Sequence, residues 1–99
     1  MLYAIMGTDR EDSLDARMKV RPEHIERIKA LQADGRLLLA GPHPAIDSED
    51  PGPAGFSGSL IVAEFDSLEE AHAWANEDPY TTSGVFSEVI VKPLKKVLP

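Results

Sequence analysis

An α+β sandwich with element order βαββαβ is predicted by three features of the 99-residue sequence. Four short runs, Leu2 to Thr8, Arg36 to Gly41, Gly58 to Phe65 and Val85 to Val91, have the apolar, aromatic or β-branched make-up of strands. Two longer segments between them carry helix start and stop signals. A 42% hydrophobic content at this length supports one modest core and one domain, residues 1–99. That order is the signature of the ferredoxin-like split βαβ fold, in which two helices cover one face of a four-stranded antiparallel sheet.

Leu2 to Thr8 reads as a strand buried on both faces, with Thr8-Asp9-Arg10 as its exit. The helical pattern that follows divides into a short piece, Ser13 to Lys19, and a main helix with Pro22 at its first position, stopped by Gly35. After the second strand, residues 41–58 are rich in Pro, Gly, Asp and Ser and read as a long loop, a feature associated with binding or interface roles. Ser67-Leu68-Glu69-Glu70 is a capping box that opens a second helix through Trp74 and Ala75, and Asp78-Pro79 closes it. The fourth strand ends near Lys92-Pro93. Two helices leave one sheet face uncovered, so a homodimer is expected, with Leu38, Ile61 and Val89 as candidates for its apolar surface.

Composition removes several function classes. Without cysteine there is no disulfide, thiolate zinc site or cysteine nucleophile. The longest apolar runs fall far short of a membrane span, and the first residues lack the basic start of a signal peptide, so a cytoplasmic protein is expected. A net charge of −7, from 17 acidic and 10 basic residues, disfavours nucleic acid and anionic lipid. Lys92, Lys95 and Lys96 read as edge protection on a closing strand. His43 and His72 lack paired ligand spacing, and residues 47–50 lack the glycine-centred spacing of a calcium loop. No phosphate-binding glycine motif occurs, so neither metal nor cofactor is expected.

The topology brings the end of strand one, the start of helix one, Gly41 and the end of helix two to one edge of the sheet. That edge collects Asp9, His24, Gly41 and Asp78, with Tyr80 as a further candidate pocket residue. His24 shares a helical arc with Ile28 and Leu31 and faces inward. Placed in a first turn, it would feel the positive helix end, which favours neutral imidazole, against a carboxylate that favours imidazolium. A carboxylate on one ring nitrogen would fix the tautomer and leave the other as general acid or base, and Asp78 is positioned for that role. The alternative is a histidine bonded to a backbone carbonyl, with Asp78 capping the turn before Pro79. Nothing in the sequence places Ser57 or Ser59 within reach of His24 as a nucleophile.

The pieces Met1-Leu2-Tyr3, Arg21-Pro22-Glu23-His24, residues 35–42, Asp50-Pro51-Gly52 with Gly55-Phe56, and Asp78-Pro79-Tyr80 together resemble the YciI-like family over nearly the whole chain. The resemblance implies a dimeric α+β barrel of ferredoxin-like protomers, similar to the muconolactone-isomerase group, and a His-Asp site carried here by His24 and Asp78. Two readings stay open. One is a small cofactor-free enzyme using that pair on a small metabolite, by isomerisation or elimination. The other is a metabolite-binding or regulatory dimer that uses the same pocket without chemistry.

Overall fold

The computed structural model describes all 99 residues. In chain order the elements are β1 (Leu2–Asp9), α1 (Leu14–Ala33), β2 (Leu37–Pro44), a 3-10 turn (Gly52–Ala54), β3 (Phe56–Glu64), α2 (Leu68–Asn76), the one-turn α3 (Pro79–Thr82) and β4 (Phe86–Leu94). The strands form one antiparallel sheet in the order β2-β3-β1-β4, the ferredoxin-like arrangement, with the helices on one face. No helix is long and apolar enough to cross a membrane.

Several expectations change in the structure. β1 is buried on one face only: Tyr3, Ile5 and Gly7 lie under the helices, while Leu2, Ala4 and Met6 on the opposite pleat are half-buried. The helix does not break at Pro22, and α1 runs unbroken for 20 residues. Pro22 withdraws one N–H from the ladder, but it and Met18, four residues earlier, lie on the exposed side, where that loss costs least. Gly35, at φ 71°, ends the helix as expected, its N–H donating to the Gln32 carbonyl. β2 runs on to Pro44 and β3 begins at Phe56, so the expected long loop shrinks to residues 45–55. Pro93 lies inside β4, which is tolerated because β4 is an edge strand.

Pairing register decides which side chains meet the helices. Tyr3, Ile5 and Gly7 stand opposite Ala63, Ile61 and Ser59 on β3, and opposite Pro93, Val91 and Val89 on β4. Ile61 and Val89 therefore belong to the helix side, not to the outer face expected for them. The uncovered face is carried instead by Ala4, Met6, Leu39, Leu60 and Ile90.

The helix-facing layer divides by level. Tyr3 and Ile5 of β1, Ile61 and Ala63 of β3 and Leu31 of α1 join Phe65, Ala71, Ala75 and Val91 in the apolar core. Burying each large member contributes about 1.5–3 kcal/mol. The small Ala71 and Ala75, one turn apart, let α2 approach the sheet, and Ser67 caps its start by accepting from the Glu70 N–H at 3.1 Å. At the other level of the same three elements the buried side chains become those of Asp9, Ser59, Arg17 and His24. The polar level lies at one end of the sandwich.

Candidate active site

Arg17, His24 and Leu31 are the buried residues of α1. Their seven-residue spacing keeps them on one side over two turns each. This face carries an arginine and a histidine where a packing helix would carry aliphatic residues, which is why α1 lacks an apolar stripe. His24 is the eleventh residue of the helix, so the positive helix end expected to act on it lies too far away.

Its ring is fixed by two contacts. Nδ1 lies 2.7 Å from Asp78 Oδ2 and the two groups are buried, at 4% and 2% exposure. A carboxylate only accepts, so Nδ1 carries the proton of this bond. Nε2 takes no hydrogen bond within the protein and is not sealed off, and His24 lines the adjacent cavity. The imidazole also stacks on Tyr80, ring centroids 3.8 Å apart and planes 14° from parallel.

Asp78 is held from three directions. Between α2 and α3, it caps α3 by accepting from the Tyr80 N–H at 3.0 Å through Oδ2, while Oδ1 accepts from Arg27 Nη1 at 3.1 Å. The Arg27 guanidinium in turn lies 4.2 Å from the Trp74 ring centroid. Pro79, at the first position of α3, needs no hydrogen-bond partner there and helps to start the turn.

A second buried cluster adjoins this pair. Arg17 donates through Nε to Asp9 Oδ2 at 2.8 Å and through Nη2 to Asp9 Oδ1, to the Gly58 carbonyl and to Ser59 Oγ, the last at 2.7 Å. Its guanidinium lies 4.6 Å from the Tyr80 ring centroid. Burial pushes the Tyr80 phenol above its ordinary 10.0, while Arg17 and Arg21 oppose that shift.

A cavity of about 480 Å³ opens between α1 and the β2–β3 edge of the sheet, within the usual range for small-molecule sites. Arg21, His24, Ile25, Ile28 and Gln32 form its helical wall, and residues 37–42 and 59–61 form its sheet wall. Of the residues singled out in the sequence, His24 and Gly41 line it together. Asp78 stands behind His24, Tyr80 is buried beneath the ring, and Asp9 is spent on Arg17. Arg17, Arg21 and Arg27 have no site role in the sequence reading, and Ser59, for which the sequence gives no place near His24, lines the same cavity as that residue. Carrying the helical phase across Pro22 would have put Arg17 and Arg21 on the His24 face. No group of three His, Asp or Glu side chains is disposed to hold a metal ion.

The sequence matches the model of the YCII-related domain over residues 1–95. It is 58% identical over 97 residues to Protein YciI of Escherichia coli O6:H1, covering 98% of this chain and 99% of that one. It is 32% identical over 80 residues to the derivative of benzaldehyde biosynthesis cluster protein C of Emericella nidulans, covering 77% and 79% of the two chains. Among solved structures it resembles 5-chloro-2-hydroxyhydroquinone dehydrochlorinase, TftG, of Burkholderia phenoliruptrix, solved with 2,5-dihydroxybenzoquinone. The TM-score is 0.83 at 28% identity, covering 96% and 94% of the chains.

Proposed function

The chain belongs to the YCII-related domain family, and from that premise we propose that it is a small cofactor-free enzyme in which His24, oriented by Asp78, moves a proton on a small cyclic or aromatic-derived metabolite. The observation that carries this reading is the division of labour on the imidazole. Asp78 takes Nδ1, while Nε2 has no hydrogen-bond partner in the protein and His24 lines a ligand-sized cavity. In the proton-transfer step a C–H or O–H bond of the substrate breaks, the proton passes to Nε2, and the electron pair stays on the substrate as an enolate or phenolate. The imidazolium so formed is stabilised by the Asp78 carboxylate. Return of the proton at another carbon completes an isomerisation. Departure of a leaving group with its electron pair, the proton going to solvent, completes an elimination. The likeness to a dehydrochlorinase and to a protein of a benzaldehyde-derivative cluster supports ring compounds of this kind as substrates.

In this proposal the enzyme acts as a homodimer in the cytoplasm. The apolar outer face of the sheet supports the association, and sedimentation at micromolar concentration should find twice the 10.8 kDa chain mass. Activity is tested by incubating a small-metabolite pool in heavy water with wild type or His24→Ala. Wild type should deuterate or convert at least one component, and the variant should be slower by about 10²–10⁴-fold. A pool left unchanged by wild type, or converted equally by both, contradicts the proposal.

A further inference from the structure

We propose that Ser59 and Arg21 form an anion-recognition pair in the His24 cavity, so that the ligand is anionic or develops negative charge on oxygen. This deepens the enzymatic reading and rests on the cavity being the substrate site.

Charge on the cavity wall is the first argument. The protein carries −7 overall, yet Arg21 is the one Asp, Glu, Lys or Arg side chain lining this space. The nearby carboxylates are already committed, Asp78 to His24, Arg27 and the Tyr80 N–H, and Asp9 to Arg17. Arg17, Arg27 and Arg36 all pair with carboxylates, whereas Arg21 makes no ion pair. It stands three residues before His24, on the same helical face. An anion entering the cavity meets one cation and no carboxylate.

Ser59 supplies the second argument. Register opposite Gly7 turns its side chain to the helix face, where it is 4% exposed and lines the cavity. A hydroxyl has one donor and two lone pairs, and one lone pair here accepts from Arg17 Nη2 at 2.7 Å. Its own proton has no acceptor in the protein. The buried, charge-assisted bond from Arg17 polarises the hydroxyl and makes that proton a stronger donor toward a ligand oxygen. Arg17 is thus a positioning residue, and Ser59 and Arg21 are the groups that meet the ligand.

Direct binding separates this proposal from the catalytic one. The probe is 2,5-dihydroxybenzoquinone, ionised at neutral pH, with hydroquinone as its uncharged counterpart, titrated against wild type, Arg21→Gln, Ser59→Ala and His24→Ala. Wild type should prefer the anion. Ser59→Ala should weaken anion binding about tenfold, and the more exposed Arg21→Gln about three- to tenfold with a reduced salt dependence. Hydroquinone binding should stay unchanged in both. Anion selectivity lost in these variants, without turnover in any protein, would sustain the pair and remove only the enzymatic reading. Absence of saturable binding to wild type, equal affinity for the two probes, or unchanged anion affinity in the exposed-site variant Arg21→Gln would overturn the pair, even with His24-dependent turnover intact.

Discussion

The imidazole of His24 lies flat on the phenol ring of Tyr80, 3.8 Å between centroids. Tyr80 is met edge-on by Phe86, 5.5 Å away at 83°, and Phe86 covers the bare backbone of Gly7. The stack fixes the plane of the imidazole, and the bond to Asp78 fixes its rotation within that plane. A ring held in both senses keeps one orientation, the condition that the proposed proton transfer requires.

The foot of the stack predicts a packing effect. A Cβ on Gly7 would lie 2.5–2.6 Å from the Phe86 ring atoms, so Gly7→Ala forces that ring to move. Urea unfolding should find a loss of about 1–3 kcal/mol. Gly58→Ala should cost more, because its Cβ would overlap the Gly7 carbonyl oxygen and a backbone cannot swing aside. Wild-type stability in both variants would refute this packing.

Tyr80 predicts an alkaline effect. Burial raises its pKa above 10.0, with Arg17 and Arg21 opposing. The folded protein then retains a proton that the unfolded chain releases. Stability from this source is fully present below about pH 10 and is lost as pH rises through the folded value. Tyr80→Phe removes the ionisation, so between about pH 9 and pH 11 its melting temperature should fall less than that of wild type. Parallel curves would show that burial does not shield this hydroxyl.

The Asp9–Arg17 pair predicts a large stability loss. Both side chains are buried, at 3% and 5% exposure, and Asp9→Ala leaves the guanidinium without its counter-charge. Chemical denaturation should find a loss of about 3–5 kcal/mol. A loss below about 1 kcal/mol, the scale of an exposed pair, would mean that water reaches the site.

The sequence was informative wherever one residue type enforced the local structure. Gly35 stops α1, Ser67 starts α2, and the βαββαβ order gives the sheet its topology. The topology brings His24 and Asp78 together, but through the middle of α1, where His24 is the eleventh residue, and not through a first turn. Two kinds of information were lost. Reading Pro22 as a helix start broke the phase that places Arg17 seven residues before His24, since a proline on an exposed helical face need not end a helix. Pleat direction was the other. Shifting the parity of a strand by one residue exchanges its faces, and no residue type in β3 or β4 signals that Ile61 and Val89 turn inward. The access of Ser59 to the cavity depends on the same parity, since it follows from pairing with Gly7.

The proposed chemistry of His24 requires that Asp78 hold the ring so that Nε2 is the free nitrogen. Nitrogen-15 NMR of the His24 ring, at a pH of about 9 where an ordinary imidazole is neutral, observes this directly. Wild type should carry the proton on Nδ1 with Nε2 bare, and Asp78→Ala should shift protonation toward Nε2. Protonation on Nε2 in wild type, or the same tautomer in both proteins, would contradict the assignment of His24 and Asp78 as the proton-transferring pair.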